Sequence, residues 1–145
     1  NEPSHHIAYL YNYAGQPWKT QQILRKIYTS QYRNDYDGLS GNEDCGQMSA
    51  WYIMSTIGFY PVNPASGIYD FGAPLYSKAQ INLENGKKFI VLAKNISDKN
   101  IYLKSIKLNG KPYDKLYIRH EDIVNGGTLE FTMDSKLKKQ VGPEK

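Results

Sequence analysis

Two adjacent carboxylates, Glu43 and Asp44, stand in the run Gly41-Asn42-Glu43-Asp44-Cys45-Gly46-Gln47, between glycines and just ahead of an apolar stretch. Glycine lets a backbone take unusual dihedrals and lets a ligand come close. Acidic side chains on a loop at a helix entrance can be aimed at a metal ion or a water molecule. The competing reading is structural. Asp44 would then be an N-terminal cap, its carboxylate accepting backbone N–H groups and complementing the helix dipole. If Asp44 instead activates water for an inverting glycosidase, a separate acid is needed roughly 6.5–9.5 Å away. Neighbouring residues do not straddle a sugar at that distance, so the acid must come from elsewhere.

A second group opens the chain: Asn1-Glu2-Pro3-Ser4-His5-His6. Adjacent histidines before a helix can bind a transition metal, but His120 is the only other histidine, and this scatter gives no zinc spacing. The remaining donors are oxygens, on Asn1, Glu2, Asn42, Glu43 and Asp44. Hard oxygen ligands suit calcium, although they do not form an EF-hand loop. Cys45 has no histidine fixed beside it by local sequence, so it reads as a small buried residue. As the sole cysteine it excludes an internal disulfide framework.

These groups need a frame. With 145 residues the chain fits one domain or a compact pair, and 40% hydrophobic and 22% charged residues are ordinary for a globular protein. The 13 tyrosines suit half-buried walls and sugar-facing clefts, or simple packing. The net charge is +4, but the lysines are spread out and form no basic stripe interleaved with aromatics, which argues against a nucleic-acid partner. No apolar stretch reaches membrane-spanning length. The chain begins at Asn1 without a methionine and without a signal peptide, which reads as a piece of a longer protein.

The pattern changes near residue 65. Ile7, Leu10, Tyr11 and Ala14 have helical spacing and stop at Gly15, predicting a helix over 6–14. Pro17 can open the next helix, over 18–32, with Ile23, Leu24, Ile27 and Tyr28 on one face. Residues 33–46 read as a loop. Gln47 to Ile57 is apolar nearly all round and reads as a largely buried helix, ended by Gly58 with Pro61 and Pro64 blocking a restart. Beyond residue 65 the period is two. Ala79, Ile81 and Leu83, the turn Asn85-Gly86 and the return 89–92 form a hairpin. Further strands follow around Leu103 and Ile106, before the turn Asn109-Gly110, and at Leu116-Tyr117-Ile118. A helical turn from His120 to Val124 precedes a last strand through Leu129, Phe131 and Met133. The expected class is α+β: a helical segment over 1–64, an antiparallel β portion over 65–135, and a lysine-rich tail over 136–145.

Several segments together resemble the C-terminal end of glycoside hydrolase family 92. They are Asn1-Glu2-Pro3, Tyr9-Leu10-Tyr11-Asn12-Tyr13-Ala14-Gly15, the acidic run extended through Trp51-Tyr52, Gly58-Phe59-Tyr60-Pro61-Val62, and Leu108-Asn109-Gly110-Lys111-Pro112-Tyr113. The order is the family's, and nearly the whole chain is covered. The resemblance implies a calcium-dependent, inverting exo-α-mannosidase whose catalytic domain is an (α/α)6 barrel. The expected substrates are α-mannosides such as those of N-glycans, with α-1,2 linkages foremost. Carried over by position, Asp44 matches the general base, and Glu43 and Asn1 match calcium ligands. Glu2, His6 and Asn42 fall at the sugar-binding end. Asn42 stands where some members carry a second acidic residue. The family's catalytic acid lies upstream of Asn1.

The resemblance also implies a periplasmic, secreted or cell-surface bacterial protein and an inactive isolated fragment. Helices deprived of their barrel neighbours would favour self-association. A carbohydrate-binding or structural β module without catalysis is the competing function, supported by the β portion and the tyrosines. The acidic run in the helical half argues against it.

Overall fold

The computed structural model describes residues 2–139. The first expected helix is tighter at its start than its spacing predicts. It begins as two short 3-10 turns, Glu2–Ser4 and Ile7–Tyr9, and becomes α-helical only over α1, Leu10–Tyr13. Helix α2, Pro17–Ser30, starts with its proline in the first turn, where a missing N–H costs nothing. Its buried stripe is Thr20, Gln21, Leu24 and Tyr28, and Ile23 and Ile27 are half-buried beside it. Helix α3 occupies Gln47–Ile57 and ends at Gly58. Met48, Trp51, Ser55 and Thr56 face inward, while Ile53 remains 55% exposed.

Two short strands follow that the sequence pattern does not announce, β1 (Phe59–Tyr60) and β2 (Ile68–Phe71). Too short for a visible alternation, they pair with each other and with β7 (Tyr117–Arg119) in a three-stranded sheet ordered β1-β2-β7. The second sheet holds β3 (Lys78–Asn82), β4 (Lys88–Lys94), β5 (Tyr102–Leu108), β6 (Lys111–Pro112) and β8 (Gly127–Asp134), with helix α4 (His120–Val124) before the last strand. Its order is β3-β4-β8-β5-β6. The hairpins at Asn85-Gly86 and Asn109-Gly110 are antiparallel, as their turn chemistry predicts. The centre is not. β8 runs parallel to β4, with Phe89 opposite Gly127 and Lys94 opposite Thr132. A parallel pair needs a long connection, and here residues 95–126 supply it. The sheet is therefore mixed rather than purely antiparallel.

Two cores result. Ala8, Tyr9, Leu24, Tyr28, Trp51 and Ala73 form the helical one. Phe89, Val91, Leu103, Ile106, Leu129 and Phe131 lie at the heart of the other, joined by Phe59 and Phe71 from the small sheet. Polar contacts join the two parts. The Gln21 side-chain carbonyl accepts a hydrogen bond from the Leu103 N–H at 3.1 Å, and the Gln22 amide donates to the Tyr102 hydroxyl at 2.6 Å. Among the described residues no helix is long and apolar enough to cross a membrane.

Candidate active site

The acidic run lies where α3 begins, and the first N–H groups of that helix decide its shape. Those groups have no intrahelical partner. The Gln47 N–H donates to the Asp44 carbonyl and the Met48 N–H to the Glu43 carbonyl, both at 3.2 Å. The Ser49 N–H donates to Glu43 Oε1 at 3.0 Å, and the Ser49 hydroxyl donates to Glu43 Oε2 at 2.9 Å. Glu43, not Asp44, is thus the capping carboxylate. The loop turns into the helix through three successive left-handed residues, Asp44 (φ 53°), Cys45 (φ 57°) and Gly46 (φ 90°). Glycine takes that conformation freely, but a side-chain-bearing residue pays on the order of 1–2 kcal/mol for it. Strain of this kind persists where surrounding contacts impose it.

Released from capping, the half-buried Asp44 carboxylate lies close enough to Glu2 for the two to interact. Desolvation pushes the Asp44 acidity constant up from its ordinary value. The interaction with Glu2 and the charge of Glu43 act in the same direction.

Glu2 also lines a pocket of about 450 Å³ together with His5, His6, Gln47, Trp51 and Tyr60. The His5 ring stacks on Trp51 with centroids 5.2 Å apart, and Gln47 Nε2 lies 3.4 Å from His5 Nδ1. An amide nitrogen donates, so Nδ1 accepts, and the ring carries its proton on Nε2. That atom is buried without a hydrogen-bond partner among the described residues. Burial lowers the acidity constant of His5, which keeps the ring neutral.

Of the residues singled out in the sequence, the fold brings Glu2, His6 and Asp44 into one neighbourhood. Glu43 is turned toward Ser49, and Asn42 is exposed on the loop. Asn1 lies outside the described residues. Cys45, expected to be buried, is exposed, because the left-handed turn carries it away from the core. Sequence reasoning weighed His5 only as half of a metal-binding pair and gave no site role to Gln47, Tyr60 or Ser49. The spacing of Gln47 and Trp51, four apart on one helix face, is the signal that could have found part of this wall.

The donor set is made of oxygens and fits a hard cation. Glu2 and Asp44 are like-charged neighbours, and a divalent ion relieves such a pair. Among the described residues, no group of three or more His, Cys, Asp or Glu side chains is gathered for a metal. Glu43 could add a ligand only by releasing Ser49.

The model of the glycosyl hydrolase family 92 catalytic domain matches residues 1–135. The chain belongs to that family. It is 50% identical to an α-mannosidase of the family from Bacteroides thetaiotaomicron, solved in complex with mannoimidazole. That match has a TM-score of 0.92 and covers 96% of this chain and 18% of the other. An inverting mannosidase of the family from Bacteroides thetaiotaomicron VPI-5482 matches at 42% identity and TM-score 0.87, over 94% of this chain and 18% of that one. A secreted glycosidase of Arthroderma benhamiae, itself uncharacterized, is 34% identical over 136 residues, 92% of this chain and 18% of that protein. The chain therefore spans about a fifth of the length of these relatives.

Proposed function

We propose that this chain is the C-terminal part of an exported, calcium-dependent exo-α-mannosidase that cleaves α-mannosides such as those of N-glycans with inversion. The observation that carries the reading is the closeness of Asp44 to Glu2 beside a pocket walled by His5, His6 and Trp51. Asp44 is free of the capping duty its position offers. Its raised acidity constant makes it a stronger proton acceptor once ionised.

In this reading Asp44 takes a proton from a water molecule, whose oxygen attacks the anomeric carbon as the glycosidic bond breaks. The leaving oxygen is protonated by an acid from the part of the protein that precedes this chain. Glu2 is not that acid. It stands beside Asp44, whereas inversion requires an acid about 6.5–9.5 Å away, across the sugar. Asn1 and Glu43 are the calcium ligands the resemblance implies; with Glu43 held by Ser49, we assign its place to Glu2, beside Asn1 in sequence. A bound calcium ion would supply a hard, oxygen-seeking centre for the hydroxyls of the sugar. His6 lines the sugar, with His5 held behind it on the buried Trp51, and the (α/α)6 barrel completes the pocket. Export is supported by the secreted relative.

The family model runs through both halves of the chain, which favours a catalytic piece over a separate binding module. The test is hydrolysis of an aryl α-mannoside by the full-length protein, with the anomeric configuration of the released sugar followed by proton NMR. Activity lost with EDTA, restored by calcium and reduced at least about 10²-fold by Asp44→Ala is expected. Full activity of Asp44→Ala, or a retained configuration, overturns the assignment. The isolated chain lacks the acid and is expected to give no turnover.

A further inference from the structure

We infer that Glu43 is a positioning residue: it holds the entrance of α3 through Ser49 and so aims Asp44 at Glu2. The inference rests on the reading of Asp44 as the base and goes beyond it. Gly46, at the cap position, has no side chain to offer, and among the described residues no side chain other than that of Glu43 caps this helix. Glu43 meets two of the exposed N–H groups, that of Met48 with its carbonyl and that of Ser49 with its carboxylate. The second carboxylate oxygen takes the Ser49 hydroxyl at 2.9 Å. Both ends of the left-handed turn are thereby tied to the rigid helix, one residue before Asp44 and three residues after Gly46.

The tie matters because the turn is strained. Asp44 and Cys45 both hold positive φ, a conformation that relaxes when its anchors are removed. If Asp44 capped the helix instead, as its position invites, its carboxylate would be directed at backbone N–H groups and not at Glu2. Glu43 removes that alternative by occupying the cap first. A carboxylate bound at both oxygens is also the less available of the two for a cation, so Glu43 and Asp44 divide their labour: one builds the loop, the other faces the substrate.

The full-length enzyme tests this with three variants. Glu43→Gln keeps both links, since its amide oxygen accepts from the Ser49 N–H and its amide nitrogen donates to the Ser49 hydroxyl oxygen. Glu43→Ala keeps neither, and Ser49→Ala loses one. A displacement of the base by an ångström costs about 10² in rate, so Glu43→Ala should lower kcat by about that factor with KM changed less than about threefold. Glu43→Gln should recover kcat to within about fivefold of the wild type. Ser49→Ala should show a smaller loss, and the double variant Glu43→Ala/Ser49→Ala no more than Glu43→Ala alone, because the two residues form one contact. Isothermal titration with calcium should give similar affinities for the wild type and Glu43→Gln. A Glu43→Gln enzyme that binds calcium more than about tenfold more weakly makes Glu43 a ligand and overturns the inference. So does an unchanged kcat in Glu43→Ala. A failure of the Asp44 reading shows separately, as an Asp44→Ala enzyme that keeps its kcat.

Discussion

The indole N–H of Trp51 donates a 3.0 Å hydrogen bond to the backbone carbonyl of His5 while its ring stacks on the His5 imidazole. The two residues are 46 positions apart. Through this contact the N-terminal segment is fixed on α3, and Glu2 is carried to the carboxylate of Asp44 at the head of the same helix. Tyr32 stacks on the indole at 5.9 Å and Tyr28 tilts against it at 6.1 Å, so the anchor is itself held in a packed aromatic group.

Trp51→Phe keeps most of the ring and removes the N–H. The His5 carbonyl is then left buried and unmet, which should cost about 1–3 kcal/mol. The loss is expected in the urea midpoint of the full-length protein. The mannoside hydrolysis proposed above should fall with it, since Glu2 is no longer held in place. A variant as stable and active as the wild type would show that the hydrogen bond positions nothing.

Gly58→Ala should destabilise more. Gly58 ends α3 at φ 127°, and a methyl group there would stand 2.9 Å from Cε2 of the buried Phe131. Overpacking of a core costs about 1–3 kcal/mol, and the left-handed backbone adds roughly 1–2 kcal/mol. Chemical denaturation monitored by tryptophan fluorescence measures the sum. A loss of only about 1–2 kcal/mol would leave the backbone cost alone and mean that Phe131 moves aside freely, and a smaller one would overturn both costs.

Asp70 should give the fold a pH dependence of defined sign. Its carboxylate is buried and receives the Tyr13 hydroxyl at 2.9 Å. Burial raises its acidity constant, and the Tyr13 hydrogen bond only partly offsets this. A folded value above the unfolded one means that the native state binds the extra proton. Stability from this group is present below the unfolded value and is lost as pH rises through the raised folded value. Asp70→Asn should therefore raise the melting temperature at pH 7 and lose its advantage below pH about 3.8, the ordinary value. An equal effect at both pH values would point to packing instead of charge.

The isolated chain should self-associate. Ile7, Leu10, Tyr13, Tyr36, Ile53 and Tyr76 are its exposed large apolar side chains, together with Leu137 near the end of the sheet part. All but the last belong to the first 76 residues, where the remainder of the catalytic domain would pack. Light scattering at increasing concentration should show a mass above 16.6 kDa. A constant monomer mass would mean that these side chains need no cover.

Much of the frame was legible because its signals are local. The apolar run Gln47–Ile57, stopped by Gly58, is the observed α3. The turn pairs Asn85-Gly86 and Asn109-Gly110 lie at hairpins, and His120–Val124 is a single short helix. Each depends on neighbours within a few positions. Strands β1 and β2 escaped notice because two to four residues carry no period. The parallel partner of β4 escaped because β8 reaches it only after a long crossover, and strand direction is not written in either strand's own residues.

The sequence by itself determined the candidate chemistry: a carboxylate doublet at a helix entrance and an N-terminal group of oxygen and imidazole donors, in the order of a known hydrolase family. It could not say which carboxylate would do what, because Glu43 and Asp44 both fit a cap and both fit a site. Tertiary structure decided that. Ser49 takes Glu43, the left-handed turn rotates Asp44 outward, and the packing of His5 on Trp51 brings Glu2 across 42 positions to meet it. The physical reason is that capping is satisfied within one helical turn, whereas the meeting of Asp44 with Glu2 requires two distant segments to be held by a shared core.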